Sequence, residues 1–161
     1  QKTGNSFSNP CEARVIIQLL KRFDLFAGMG ATRRYKVAVL AGYLGQVRQI
    51  RQALQSEIGS FKCLSGNDVE VSSVDAYQGR QADIVLYSVT RSNPQGKIGF
   101  LRERERLNVA LSRGGLALGI VGDLESCSAD AQNNPLSDVR DYIERHPESC
   151  AREEVELASR G

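Results

Sequence analysis

The sequence predicts an α/β fold built around a parallel sheet, and three observations support this. Short and nearly continuous apolar runs, typical of strands that are buried on both faces, recur along the chain. Segments with apolar residues at helical spacing alternate with these runs. No internal repeat and no low-complexity tract interrupts the alternation. Because strands that alternate with amphipathic helices form parallel sheets with helices on their faces, we expect that architecture here.

Local patterns place the individual elements. Asn9, Pro10 and Glu12 predict a helix start, with Asn as N-cap, Pro in the first turn and Glu at the third position. Gly28 and Gly30 close this first helix. Strands are expected at 37–40, 69–74, 84–89 and 116–121, of which 37–40 and 84–89 are predicted to be buried. Further helices are expected at 43–59, 102–113 (with Gly114 as C-cap) and 134–147. We interpret 1–161 as one domain, with its core at about 6–123 and a C-terminal helix at about 135–146.

The composition is typical of a globular protein, with 161 residues, 41% hydrophobic and 25% charged. No apolar run approaches the roughly 20 residues of a membrane helix, so we expect no membrane partner. Residues 1–9 are mostly polar and lack an apolar stretch, so we do not expect them to be a signal peptide. The first residue is Gln rather than Met, so we expect a piece of a longer protein. A net charge of +2 is too small to indicate nucleic-acid binding by itself.

The four cysteines, at positions 11, 63, 127 and 150, are scattered and lack the short ligand spacing of a zinc site. We therefore expect no metal bound by them, and reduced, mostly buried thiols in an intracellular protein. The cytoplasm is the expected location, or the nucleus in a eukaryote.

The sequence lacks the machinery of a self-contained hydrolase. It has no GxxxxGK[ST] phosphate-binding loop and no apolar strand ending in paired acidic residues that would hold magnesium. His146 is the only histidine and precedes a helix-stopping Pro147, so we interpret it as structural. No Ser/His/Asp or Cys/His constellation can be assembled around it.

Two polar features remain as candidates. Arg113 lies at the end of a predicted helix just before the last strand, where it either projects rigidly toward a ligand or neutralises the helix dipole. Gly79, in the turn 78–80, either lets backbone approach a phosphate or makes an ordinary tight turn. Since ligands of open parallel sheets gather at the carboxyl ends of the strands, we expect sites in the loops after Leu40, Val74, Val89 and Val121.

Taken together, several segments resemble the C-terminal RecA-like domain of superfamily 1B helicases, a group that includes the nonsense-mediated-decay and immunoglobulin-mu-binding helicases. They are SFSNPCEA at 6–13, VLAGYLGQ at 39–46, VDAYQGRQAD at 74–83 (like motif V), IGFL at 98–101 and RLNVALSR at 106–113 (like motif VI). The resemblance covers roughly residues 6–123. It implies a RecA-like fold of the P-loop NTPase type, here as the second helicase domain without its own P-loop.

The resemblance also implies a division of labour. ATP with Mg²⁺ binds between two RecA-like domains, and the first, which is not in this sequence, holds the phosphates and the metal. Arg113 is then the catalytic arginine finger, and the ATP-binding residues are Gln78, Gly79, Arg80 and Gln81 together with Arg113. In this scheme Gly79 offers backbone to the γ-phosphate and Gln81 faces the ribose. The backbone of a single-stranded DNA or RNA contacts Tyr43, Gln46, Ser73 and Arg91, unless these residues form only a solvated rim.

Four positions depart from the family pattern: Gln81 stands for Glu, Ala41–Gly42 for Thr/Ser–Pro, Gly115 for a second arginine, and Pro10 for an arginine of some members. Three of these departures, at Ala41, Gln81 and Gly115, favour an alternative: a degenerate RecA-like domain that binds nucleic acid or protein without catalysis. A free-standing activator that lends Arg113 to another ATPase is a third hypothesis. The helicase hypothesis makes the chain alone inactive and the full-length protein an ATP hydrolase.

Overall fold

A four-stranded parallel sheet forms the centre of the computed structural model, which describes residues 2–3, 6–30, 33–66, 68–91, 104–125 and 134–155. The elements in chain order are β1 (Lys2–Thr3), β2 (Ser6–Phe7), α1 (Pro10–Gly28), β3 (Val37–Ala41), α2 (Leu44–Glu57), β4 (Val69–Ser73), β5 (Ala82–Ser88), α3 (Arg104–Leu111), β6 (Gly114–Val121) and α4 (Pro135–Arg145). Single 3-10 turns follow α2 and β4, at Ile58–Ser60 and Asp75–Tyr77. The predicted α/β class with a parallel sheet flanked by helices is confirmed.

The strand order is β4-β3-β5-β6, and every neighbouring pair is parallel. Ala41 pairs with Ser73 on one side and Ser88 on the other, so three strands end at the same level. β1 and β2 form a separate antiparallel pair. The sheet therefore has one edge where strands begin and another where they end, which we call the amino edge and the carboxyl edge.

Helices cover the two faces of the sheet and bury separate cores. On one face α1 and α2 pack against the sheet around Ile16, Leu20 and Ile50, each 0% exposed. On the other face, α3, α4 and the segment that follows β4 enclose a second cluster around Leu40 and Tyr87. Since strands β3 and β5 are covered on both sides, their near-continuous apolar runs are explained.

The start of α1 is as the sequence predicts. Asn9 is the N-cap in extended conformation, and its side chain accepts hydrogen bonds from the backbone N–H groups of Cys11 and Glu12. Pro10 occupies the first turn, where its missing N–H costs nothing. The helix ends at Gly28, also as predicted.

Gly114 corrects one prediction. It is not a left-handed C-cap of α3, because it begins β6 and pairs with Ala82. A Cβ at this position would lie 2.8 Å from the carbonyl oxygen of Ala117, so glycine is needed for close packing. The predicted helix 102–113 is described only as Arg104–Leu111, and the loop and the IGFL segment before it lie largely outside the described residues.

The three described cysteines are free thiols. Cys11 is exposed, and Cys63 and Cys150 are half-buried, so the prediction of mostly buried thiols is wrong for these three residues. Cys127 lies outside the described residues. His146 is the C-cap of α4, with its ring against that of Tyr142. Within the described ranges no helix has the length and apolarity that crossing a membrane requires.

β4 lies at the outer side of the described sheet, beside an open groove. Arg51 of α2 reaches over this strand, and its Nε and Nη2 donate to the carbonyl oxygen of Val71 at 3.1 and 2.6 Å. A side chain thus satisfies a backbone acceptor of the outer strand.

Candidate functional site

The candidate residues divide between the two edges of the sheet. Tyr43 precedes α2, Ser73 ends β4 and Arg91 follows β5, so all three lie at the carboxyl edge. Arg113 directly precedes β6 and residues 78–81 directly precede β5, at the amino edge. β6 has 8 residues, and a strand of that length spans roughly 25 Å. The prediction that every site lies at the carboxyl edge is therefore wrong for Arg113 and the turn.

The segment between β4 and β5 explains why the turn lies at the amino edge. β4 and β5 are both parallel to β3, on opposite sides of it. The chain must therefore return from the carboxyl edge to the amino edge between Val74 and Gln81. It does so with a 3-10 turn instead of a full helix, and buries Val74 and Tyr77 on the way.

At the amino edge the turn and Arg113 are directly connected. The N–H of Ala82 donates to the carbonyl oxygen of Arg113 at 3.1 Å, and Ala82 pairs with Gly114 in the parallel ladder. The residue that follows the turn is therefore hydrogen-bonded directly to the segment that begins β6. Ala82 and Arg113, which lie 31 positions apart in the sequence, are thereby brought together.

Gly79 has the left-handed conformation, with φ of 80°, that an L side chain rarely adopts. A Cβ at this position would have no heavy atom within 4 Å, so the space beside its backbone is open. Gln78 and Gln81 on either side are exposed. The turn thus presents accessible backbone, as a phosphate or ribose contact requires.

Arg80 braces the turn instead of pointing freely outward. Its guanidinium makes a bidentate ion pair with the Glu70 carboxylate and lies 4.8 Å from the centroid of the Tyr77 ring. The hydrogen bond to Glu70 raises the pKa of Arg80. The Tyr77 hydroxyl donates to the carbonyl oxygen of Gln81 at 3.2 Å and fixes the far end of the turn.

Arg113 is half-buried, and its Nε donates to the carbonyl oxygen of Val109 at 2.9 Å. This contact is the one that the helix-dipole interpretation expects, since it satisfies a carbonyl in the last turn of α3. In the part of the chain that the structure describes, Arg113 forms no ion pair with a carboxylate. The side chain is therefore anchored through Nε without being neutralised there.

At the carboxyl edge, Phe7 of β2 joins two candidate residues that lie far apart in sequence. The Tyr43 ring meets the Phe7 ring edge-on, with centroids 5.4 Å apart. The Arg91 guanidinium lies 4.6 Å from the centroid of the same ring. Sequence reasoning did not select Phe7, although it belongs to the segment that carries the family resemblance. Ser73 is half-buried, and its hydroxyl accepts from the N–H of Ala76 at 3.3 Å.

Gln46 corrects the prediction of a direct nucleic-acid contact. Its side chain is 0% exposed. Its Oε1 accepts from the N–H of Asn9 at 2.6 Å, and its Nε2 donates to the Asn9 carbonyl at 3.1 Å and to Ser88 Oγ at 2.9 Å. In this structure the buried Gln46 side chain holds Asn9 and Ser88 at the carboxyl edge, and it is not accessible to a ligand.

Glu12 stands at the predicted third position of the helix start, and it makes further buried contacts that the sequence pattern did not predict. Its Oε2 accepts from Ser88 Oγ at 2.6 Å and from the N–H of Thr90 at 2.8 Å, and its Oε1 accepts from Asn9 Nδ2 at 3.0 Å. Burial raises its pKa to about 7, the three hydrogen bonds oppose that rise, and the charge of Asp123 adds to it. The glutamate predicted as part of an N-cap thus ties α1 to the end of β5.

The described residues do not form a magnesium site. Among them, no group of three or more His, Cys, Asp or Glu side chains is arranged to hold a metal ion. The candidate nucleotide-binding residues at the amino edge offer amide, backbone and guanidinium groups, which suit phosphate and ribose rather than a divalent cation.

Comparison with known proteins identifies the family. Residues 1–125 match the model of a family described as AAA domain. The chain is 40% identical over 121 residues to the Regulator of nonsense transcripts 1 homolog of Neurospora crassa, covering 75% of this chain and 11% of that protein. It is 36% identical over 137 residues to the ATP-dependent helicase NAM7 of Saccharomyces cerevisiae, covering 83% and 13%. With the DNA-binding protein SMUBP-2 of Mus musculus it shares 32% over 153 residues, covering 92% and 13%.

The chain therefore spans about a tenth of the length of these relatives. The family match covers more than half of the chain and includes both edges of the sheet. With the parallel sheet and the helicase-like segments, it shows that the chain belongs to this AAA domain family, as a C-terminal RecA-like domain of the superfamily 1 helicases.

Proposed function

We propose that this chain is the second motor domain of an ATP-dependent superfamily 1 helicase or translocase, and that Arg113 is its arginine finger. ATP binds at the interface with a first RecA-like domain of the same polypeptide. The observation that carries the proposal is the hydrogen bond between Ala82 and Arg113. It joins the candidate finger and the candidate nucleotide-binding turn into one unit at the amino edge.

The environment of Arg113 supports a role in phosphoryl transfer. A finger must be held in place before the reaction, and the contact between Nε and the Val109 carbonyl restricts the side chain. Its planar fork suits the oxygens of a γ-phosphate. A positive charge delivered there stabilises the transition state by on the order of 10³ to 10⁵ in rate.

The turn supplies the remaining contacts to the nucleotide. Gly79 offers backbone N–H at a point where no side chain stands in the way. Gln78 and Gln81 are exposed beside it, and Gln81 faces the ribose with a neutral amide. Arg80 contributes by bracing the turn against Glu70.

ATP is the substrate of this site and is used with Mg²⁺, which neutralises charge on its phosphates when bound. The first domain holds the metal and the phosphate-binding loop, since neither feature is found in this sequence or its described residues. This chain closes over the nucleotide from the other side. Its residues orient the γ-phosphate and place one positive charge beside it.

Single-stranded DNA or RNA runs along the carboxyl edge in this proposal. Tyr43, Ser73 and Arg91 reach the surface there, and Phe7 links two of them. Gln46 acts indirectly, because it holds Asn9 and Ser88 from beneath. The named relatives include both a regulator of nonsense transcripts and a DNA-binding protein, so the proposal covers DNA and RNA alike.

Arg113→Ala in the full-length protein tests the finger. We expect ATP hydrolysis stimulated by single strands to fall by on the order of 10³ or more, with nucleotide affinity largely retained. Arg22→Ala is the matched control, because Arg22 is an exposed arginine paired with Glu153 and has no proposed role. Turnover that is equally lowered in both variants, or unchanged in Arg113→Ala, would refute the assignment.

ATP hydrolysis by the isolated chain separates this proposal from its alternatives. We expect no activity above background without the first domain. If the full-length protein also fails to hydrolyse ATP in the presence of single strands but still binds them, the domain is a non-catalytic binding module.

A further inference from the structure

We propose that Glu12 is a positioning residue for nucleic-acid binding, which holds Thr90 in a left-handed conformation and thereby aims Arg91 at the phosphate backbone. The inference rests on the proposed function of the carboxyl edge. It assigns a role to a buried carboxyl group that the sequence pattern interpreted only as part of a helix start.

The backbone at Thr90 is the first step of the argument. Its φ is 73°, and it is the only residue other than glycine with positive φ among the described residues. For a β-branched residue this conformation is strained and persists only where the surroundings hold it. Thr90 is 4% exposed, and its N–H donates to Glu12 Oε2 at 2.8 Å. Its hydroxyl also donates to the carbonyl oxygen of Ser88 at 3.3 Å.

Glu12 is itself held rigidly, so it can impose this conformation. Ser88 and Asn9 donate to its two oxygens, and Gln46 in turn binds both of these residues. No buried side-chain polar atom in the described part of the molecule lacks a hydrogen-bond partner. The network therefore connects α1, α2 and β5 beneath the carboxyl edge.

Arg91 is the outward end of the same arrangement. The residue leaves the bend at Thr90 and its guanidinium lies over the Phe7 ring, 4.6 Å from the centroid. An arginine stacked on a ring has lost most of its rotamer freedom before a ligand arrives. Its N–H groups can then donate to phosphate oxygens at little further cost in entropy.

Electrostatics alone predicts the opposite effect of Glu12 on binding. A carboxyl group near the edge, with Asp123 close enough to raise its pKa, adds negative potential where a phosphate must approach. Its removal would then strengthen nucleic-acid binding. A positioning role predicts that removal weakens binding, so the sign of the change separates the two.

The test is a double-mutant cycle on the full-length protein, with fluorescence anisotropy of labelled single-stranded oligonucleotides, one of DNA and one of RNA. Arg91→Ala should lower affinity and reduce the slope of log affinity against log salt by about 1. Glu12→Ala should lower affinity roughly three- to tenfold, the range expected when one long side chain must be ordered on binding. In the Arg91→Ala background the same Glu12→Ala change should have no effect, because its influence acts through Arg91.

Two further variants separate positioning from general destabilisation. Glu12→Gln should retain affinity, because an amide oxygen can still accept from Ser88 and Thr90, and only the contact from Asn9 Nδ2 is lost. Asp24→Asn is the matched control: Asp24 is an equally buried carboxylate of the same helix, but it accepts from the backbone of 62–64 near the other end of α1. It should lower stability without changing affinity.

Each outcome has a definite meaning. Glu12→Ala that leaves affinity unchanged, raises it, or lowers it equally with and without Arg91 overturns the positioning role. If Arg91→Ala itself changes neither affinity nor salt slope, the proposed nucleic-acid edge fails instead.

Discussion

Replacing Glu12 by Gln should change how the stability of the chain depends on pH. The folded chain keeps a proton on Glu12 up to a pKa of about 7, whereas the unfolded chain releases it near 4.5. The stabilisation that this proton provides is therefore complete below pH 4.5 and is lost as the pH rises through 7. The interval corresponds to about 3 kcal/mol, at about 1.4 kcal/mol for each pH unit.

Urea denaturation of both proteins at pH 4.5 and pH 8 measures this loss. We expect the free energy of unfolding of the native sequence to fall by about 3 kcal/mol more than that of Glu12→Gln over this range. Asp24 and Asp68, whose pKa values are lowered, contribute with the opposite sign, but both proteins share them and their effect cancels. Parallel pH profiles for the two proteins would show that burial does not raise the pKa of Glu12.

Four substitutions test other contacts, each by the urea midpoint. Gly114→Ala should lower the free energy of unfolding by about 1–3 kcal/mol, because its Cβ would lie 2.8 Å from the carbonyl oxygen of Ala117. Gly115→Ala should leave it nearly unchanged, because the nearest atom to its Cβ would be 3.6 Å away. Equal urea midpoints for the two variants would contradict the packing argument. Gly79→Ala should cost about 1 kcal/mol, since φ there is 80°, and an unchanged midpoint would mean that the turn relaxes. Asp24→Asn should cost about 1–3 kcal/mol through lost backbone hydrogen bonds, and its deficit should shrink as the pH falls, because the pKa of Asp24 is lowered in the folded chain.

The strands and the first helix were predictable because their signals are local. Apolar runs mark β3 and β5 since both faces of those strands are covered. The Asn9 cap is recognisable because its partners lie two and three residues away. The C-cap prediction for Gly114 was wrong because a glycine after a helix is typical of a C-cap. Here the glycine is needed for close packing that depends on the path of β6.

The position of the candidate nucleotide-binding turn was not predictable from the carboxyl-edge rule. That rule assumes that each strand is followed by a helix that returns the chain across the sheet. Here the segment from Val74 to Gln81 makes the return with a single 3-10 turn. In the sequence the turn follows β4 closely, but in the structure it lies at the amino edge, where β5 begins.

The buried polar residues had a signal that could have been used. Gln46 precedes Ile50 and Leu54 by one and two helical turns, and all three are buried. Glu12 stands in the same relation to Ile16 and Leu20. The periodicity places each polar side chain on the buried stripe of its helix, but the partner at Ser88 depends on sheet register, which no local pattern contains.

The hydrogen bonds from Arg51 to the outer strand β4 bear on whether copies of the chain pair through that strand. A strand with vacant backbone acceptors can template the addition of a strand from another molecule, which leads to aggregation. Arg51 occupies the Val71 carbonyl with two donors and leaves a fixed positive charge along that border. A strand that added itself to β4 would have to displace Arg51 from the Val71 carbonyl, so this contact disfavours the pairing of two copies at that position.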